Sequence, residues 1–232
     1  MNLYLLFFAF VLLSIAVYYI CTEIQDQKLL KTVTNLNRGT RSERKMVLRL
    51  LKLGIKPTAI FHDLYLHNGN GNYSQIDLVV ATKVGIVVFE IKEYSGWIFG
   101  SENRRNWTQV LAKGRRKYQF YNPILQNKKH VEDLKKFYHF DDIPFFSMIV
   151  FFGNCEFKNV LDLPRRTFLI KSSKVMDRFN EIIQNNQPAN YGDKWEIVNL
   201  LQQAVRNGEN SIIVEKHIEN IEKLKNRDKL FN

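Results

Sequence analysis

Cysteine is almost missing from this chain, with two residues in 232. Cys21 and Cys155 lie far apart, the first at the edge of a long apolar run, so no disulfide framework is implied. Other signatures are missing altogether. There is no Gly-rich phosphate loop, no Cys/His zinc spacing, no Ser-His-Asp ordering and no internal repeat. His62, His67, His139 and His217 have no partner spacing that would make a metal site. These absences set aside P-loop enzymes, zinc modules, triad hydrolases and solenoids.

Charge is missing from Leu3–Ile20, LYLLFFAFVLLSIAVYYI. A helix of that length rises roughly 27 Å, enough for a bilayer core. A cleaved signal peptide wants a basic start and a small-residue cleavage site. Met1-Asn2 carries no basic side chain, and the run ends in Tyr18-Tyr19-Ile20-Cys21. The better reading is an uncleaved transmembrane anchor over residues 1–21, with Tyr18 and Tyr19 at the interface.

Acidic residues are outnumbered, 23 against 34 basic, for a net charge of +11. Lys28, Lys31, Arg38, Arg41, Arg44 and Lys45 follow the anchor, and the positive-inside rule then puts the rest of a single-pass membrane protein in the cytoplasm. Topology does not account for Lys113, Arg115, Arg116, Lys117, Lys128 and Lys129, which lie far along the chain. Basic residues interleaved with Tyr118, Phe120 and Tyr121 point to a polyanion, either nucleic acid or an anionic leaflet. Trp97, Trp107 and Phe120, each taken singly, read more readily as core.

Residues 22–38 read as a juxtamembrane linker or a continuation of the anchor helix, 39–170 as the main domain, and 171–232 as a helical extension. A helix is expected over Thr40–Leu53, stopped by Gly54, with Glu43 in its first turn. Strands follow at Thr58–Leu66, Trp97–Phe99, Trp107–Leu111, Phe145–Phe152 and Thr167–Ile170, with a basic turn at Lys113–Lys117. Asn122-Pro123 opens a helix to about Tyr138 that sets Gln126 and His130 on one face. Ser172-Ser173 caps a helix to Gln184, and two more helices cover Trp195–Arg206 and Ile212–Leu230.

The chemistry concentrates in Gln75–Lys92, QIDLVVATKVGIVVFEIK. Two strands, Gln75–Ala81 and Gly85–Lys92, flank a turn at Thr82–Val84. Asp77 interrupts the first, and Glu90 and Lys92 share one face of the second. Antiparallel pairing brings Asp77 toward Glu90. Two carboxylates in a low-dielectric place are expensive to ionise unless a cation joins them, and hard oxygen ligands suit Mg²⁺ or Mn²⁺. A nearby lysine then orients water or offsets phosphate charge. The plainer reading of these three residues alone is an ion pair at a strand end.

The ordered set Gly39-x3-Glu43, Gln75-Ile76-Asp77, Gly85-Ile86-x3-Glu90-Ile91-Lys92, Tyr94-Ser95-Gly96, Trp107-Thr108-Gln109 and Asn122-Pro123-x2-Gln126-x3-His130 resembles the nuclease-related domain family, a branch of the PD-(D/E)xK nuclease superfamily. The resemblance covers roughly residues 39–140. It implies an α/β fold, a restriction-endonuclease-like mixed β-sheet flanked by helices, here preceded by one transmembrane helix. It also implies Mg²⁺-dependent phosphodiester hydrolysis of DNA ahead of RNA. Glu43, Asp77 and Glu90 carry over as metal ligands. Together with Lys92 and the helical Gln126 they form the catalytic set. Lys113, Arg115, Arg116, Lys117, Lys128, Lys129 and His130 are the expected nucleic-acid contacts. Ile76 replaces the motif's proline, and Ser42 stands where a second glycine is usual; neither change removes a ligand. A membrane-tethered nucleic-acid-binding module or scaffold without catalysis is the alternative from another class, and a basic face resting on anionic lipid is a third.

Overall fold

A computed structural model describes residues 3–69, 71–111, 114–140, 142–160 and 163–230. It is mixed α/β, with two mixed sheets flanked by helices. The first sheet has the order β1 (Ile60–His67), β2 (Tyr73–Thr82), β3 (Gly85–Glu93), β7 (Phe145–Phe152) and β9 (Thr167–Lys171). β1, β2 and β3 form an antiparallel meander, while β7 and β9 add in parallel. All eight residues of β7 are buried, as a continuous apolar run covered on both faces should be.

Helices close each face. On one, Leu78, Val80, Val87, Phe89 and Met148 pack against Met46, Val47, Leu50 and Leu51 of α2 (Arg41–Lys52) and Val175, Phe179 and Ile182 of α4 (Val175–Asn185). On the other, Leu64, Ile76, Val79, Ile86 and Val88 meet Leu134 of α3 (Pro123–Tyr138) and Ile197, Leu201 and Ala204 of α5 (Lys194–Asn207). Helices α4 and α5, after residue 170, thus belong to the same core. A last helix, α6 (Ser211–Leu230), lies against β2, with His217 Nδ1 2.9 Å from the Tyr73 carbonyl.

Helix α1 runs unbroken over Leu3–Leu30, and its apolar part is exposed, long and apolar enough to cross a membrane. The stretch 22–38 is not a free linker. Leu30 is buried in the α2 face of the core, and Leu29, Val33 and Leu36 pack beside it. Its polar composition conceals this apolar stripe.

The second sheet, in the order β6 (Arg116–Tyr121), β5 (Asn106–Leu111), β4 (Gly96–Phe99) and β8 (Cys155–Lys158), has no counterpart in the expected single sheet. It is the β3–β7 pair carried round a corner. Tyr94 N–H donates to the Phe152 carbonyl at 3.1 Å, and Gly96 N–H donates to the Asn154 carbonyl at 2.9 Å. β4 and β8 then resume parallel pairing. Gly153 makes the corner possible: its φ is +85°, and a Cβ there would lie 2.5 Å from the Tyr94 carbonyl oxygen. β8 is four residues long, too short for a periodic signal. The expected basic turn at Lys113–Lys117 is partly strand, because Arg116 and Lys117 open β6, an exposed edge without apolar alternation. Lys113 lies outside the described residues. The helix expected from Ser172-Ser173 starts instead at Val175, after a 3-10 turn at Ser172–Lys174 and without a side-chain cap.

Candidate functional site

β2 and β3 pair from Thr82–Gly85 up to Leu78–Phe89, and there the ladder stops. Asp77 and Glu90 are the next residues on each strand, at the point where the strands fork. Beyond it Tyr73–Ile76 follow β1, while Glu90–Glu93 follow β7. The fork leaves Ile91 N–H without a strand partner on the β2 side, and Asp77 Oδ2 accepts it at 2.7 Å. The β1–β2 ladder also skips Asp63, opposite Asp77, where φ is +55°. Arg38 Nε holds Asp63 Oδ2 at 3.1 Å, and Gln75 Nε2 holds Oδ1 at 3.0 Å, which offsets the strain of a left-handed Asp.

Glu90 is fully buried, and neither of its carboxylate oxygens accepts a well-aligned hydrogen bond. Lys92 Nζ lies 2.6 Å from Oε1, and His130 Nε2 lies 3.4 Å from Oε2. Lys92 also donates to Gln126 Oε1 at 3.1 Å, so α3 fixes the ammonium. Asn127 sets the height of α3: buried, it donates to the Val88 carbonyl and to Ser147 Oγ, each at 2.9 Å. At the start of that helix Asn122 Oδ1 accepts Ile124 N–H at 2.9 Å, while its Nδ2 donates to the carbonyls of Ser101, Glu102 and Arg104.

Glu43 enters from the first turn of α2. Thr40 caps the helix and its Oγ1 donates to Glu43 Oε1 at 2.7 Å. The other oxygen, Oε2, accepts no well-aligned hydrogen bond and lies 3.4 Å from His62 Nε2. His62 Nδ1 in turn meets Thr34 Oγ1 at 2.8 Å. Gly39 packs on this pair with φ +61°, and a Cβ there would come within 2.4 Å of Glu43 Oε2.

The electrostatics follow. Burial pushes the Asp77 carboxyl well above its usual range, and the charges of Glu90 and Glu43 push it further; Lys92 and the Ile91 N–H offset only part. Burial works against the Lys92 ammonium, but the charges of Glu90 and Asp77 outweigh it and raise its pKa. Burial also lifts Glu43, yet hydrogen bonding to His62 and Thr40 prevails and holds it below the usual range.

The structure therefore brings together Glu43, Asp77, Glu90, Lys92 and Gln126. His130 is 6% exposed and faces Glu90, in place of the phosphate-facing surface expected of it. Arg115, Arg116, Lys117, Lys128 and Lys129 are exposed, and Lys129 pairs with Asp133 one turn along the helix. Sequence reasoning missed the Thr34–His62–Glu43 chain, Asn127 and the Asp63 anchor. His62-Asp63 inside an apolar strand was the available signal. Among the described residues no group of three or more His, Cys, Asp or Glu is placed to hold a metal ion. The chemistry of Asp77, Glu90 and Glu43 is nonetheless that of hard oxygen donors, three buried carboxylates whose charges act on one another.

Residues 38–152 match the family described as the nuclease-related domain. An uncharacterized protein of Bacillus anthracis is 36% identical over 123 residues, spanning 53% of this chain and 57% of that relative. No solved structure matches the chain. Through residues 38–152 the protein belongs to the nuclease-related domain family.

Proposed function

We propose that this chain is a membrane-anchored, Mg²⁺- or Mn²⁺-dependent nuclease hydrolysing phosphodiester bonds, with DNA ahead of RNA as substrate. One observation carries the reading. Asp77 and Glu90 meet at a strand fork, both buried, with Glu43 adding a third carboxylate and one ammonium opposing them. Such a cluster is costly without a cation.

Asp77, Glu90 and the Ile91 carbonyl would hold the ion, with Glu43 joining directly or through water. The ion supplies Lewis acidity at the phosphoryl oxygens and acidifies a bound water. Lys92, with its raised pKa, stays charged at neutral pH, so it donates hydrogen bonds and does not abstract a proton. It orients the attacking water and steadies negative charge on the five-coordinate phosphorus. Gln126 fixes the Lys92 ammonium through the 3.1 Å bond. His130 and His62 hold the Glu90 and Glu43 carboxylates in place. Exposed Arg115, Arg116, Lys117 and Lys128 supply a basic surface for the backbone. Lys28, Lys31, Arg38 and Arg41, following the anchor, favour a cytoplasmic domain.

The test uses the full chain in detergent: Mg²⁺ and Mn²⁺ calorimetry with plasmid and single-strand cleavage, beside Asp77→Ala. Expected are metal binding and metal-dependent cleavage in the wild type and loss of both in the variant. Undiminished cleavage by Asp77→Ala overturns the site. Nucleic-acid binding with neither metal binding nor cleavage establishes the tethered binding module.

A further inference from the structure

The end of the domain opposite the fork carries a second feature that the nuclease reading leaves unused. The path of α1 identifies it. Asp26 Oδ2 pairs with Lys52 Nζ at 2.7 Å, at the C-terminal end of α2, whereas Thr34 reaches His62 near the N-terminal end of α2. The two helices therefore run antiparallel, and the apolar part of α1 leaves the domain beyond Lys52. Asp26 lies six residues past Ile20, about 9 Å of helix. A headgroup layer is roughly 5–8 Å deep on each side of a bilayer core. Lys52 then sits at the outer edge of the headgroup layer if α1 crosses the membrane.

The same end holds the β2–β3 turn. Ile60 pairs with Val80 and Thr82 with Gly85, which sets Lys56 and Lys83 beside each other, and the α4–α5 loop joins them through Ala189 N–H to the Lys83 carbonyl at 2.8 Å. Between these segments is a cavity of about 650 Å³. Its floor is apolar, from Ala81, Tyr191, Ile197 and Val198, and three lysines, Lys56, Lys83 and Lys194, line it. All three lysines are exposed, and none makes an ion pair among the described residues. The nearest acid in sequence, Asp193, is engaged in capping α5 through Trp195 N–H at 2.8 Å. Tyr191 is fixed by its hydroxyl donating to the Thr82 carbonyl at 2.5 Å. Beside Lys194, Trp195 is 77% exposed, unusual for a tryptophan in water but ordinary at a membrane interface.

We propose that this cavity binds the headgroup of an anionic phospholipid from the bilayer that α1 enters. Lys56, Lys83 and Lys194 pair with the phosphate, and the apolar floor receives the glycerol and upper acyl chain. The occupant follows from continuity with the anchor, from three cations without ion pairs on an apolar pocket, and from the exposed tryptophan next in sequence to Lys194. The proposal rests on reading α1 as a membrane anchor.

The test takes the full chain in detergent micelles and titrates short-chain phosphatidylglycerol, phosphatidylcholine or inorganic phosphate, read by native mass spectrometry. The triple variant K56Q/K83Q/K194Q is compared with K52Q, whose partner Asp26 already neutralises it. Each lysine near an anionic surface is worth about 1 kcal/mol, so the triple variant is expected to bind phosphatidylglycerol on the order of 100-fold more weakly. K52Q is expected to bind as wild type does. The substitutions are at exposed positions, and an unchanged thermal midpoint verifies folding. Equal affinity for phosphatidylcholine, or indifference to the triple substitution, overturns the proposal. Inorganic phosphate binding as tightly as phosphatidylglycerol identifies a free-anion site and overturns it too. Flotation of the wild type with phosphatidylcholine vesicles tests the anchor separately, since it does not depend on the lysines.

Discussion

Two halves of one strand pair behave in opposite ways. Toward the turn, Leu78–Thr82 and Gly85–Phe89 form a complete ladder with apolar residues buried on both faces. Past Leu78–Phe89 the ladder ends, and the next residues, Asp77 and Glu90, are buried carboxylates. The paired half gains from burial and hydrogen bonding together. The forked half gives up the β2–β3 ladder and buries like charge instead. A stable hairpin and a charged opening are thus built from consecutive residues, and the energetic signs of the two halves differ.

The largest effect should come from the paired half. Leu78→Ala removes a fully buried side chain at the last closed rung and is expected to lower stability by about 3 kcal/mol, roughly 6–12 °C in thermal midpoint. A denaturant series checks this, and an effect below 1 kcal/mol would mean the ladder ends earlier than Leu78–Phe89. At the edge of the forked half, Gly39→Ala adds a Cβ 2.4 Å from Glu43 Oε2 at a φ of +61°. It should cost about 1–2 kcal/mol and weaken Mg²⁺ binding by displacing Glu43. A variant that is destabilised but binds metal normally would remove Glu43 from the ligand set.

The opposite sign is expected at the fork itself. Because the folded chain raises the Asp77 pKa, it keeps a proton that the unfolded chain releases. Stability contributed here falls as pH rises from the ordinary carboxylate range through the raised value. Glu43, lowered, contributes in the other direction: its stability is present above the ordinary value and is lost as pH falls through the lowered one. Asp77→Asn should therefore raise the midpoint near neutral pH by on the order of 3 °C and flatten its decline with pH. Added Mg²⁺ should stabilise the wild type and leave this variant unmoved. Thermal scans across pH, with and without metal, decide the matter; a midpoint lowered by the substitution would show that the Asp77 charge is compensated in the folded chain.

The approach of Asp77 to Glu90 was legible because their charges interrupt apolar strands and the turn at Thr82–Val84 sets the register; the fork that ends the ladder at Leu78–Phe89 was not. The helices carrying Glu43 and Gln126 were legible from Thr40, Gly54 and Asn122-Pro123. What stayed hidden has physical reasons. β8 is too short to show a period, and β6 is an exposed edge whose Arg116 and Lys117 read as a turn. His62 carries no spacing signal, since its partners Thr34 and Glu43 come from separate segments. The continuation of the anchor helix was one of two readings of residues 22–38, and α1 does run to Leu30; polar neighbours masked the packing of Leu29, Leu30, Val33 and Leu36 into the core.

With α1 taken as the membrane anchor proposed above, the antiparallel course of α1 and α2 also sets how far the fork lies from the bilayer. From Thr82, at the turn on the Lys52 side, to Asp77 at the fork is five residues along the strand, about 17 Å. At physiological ionic strength the negative surface potential of a bilayer decays over about 8 Å. On that proposed placement the fork opens roughly two such lengths from the bilayer, where a polyanion would meet little of the repulsion of an anionic lipid surface.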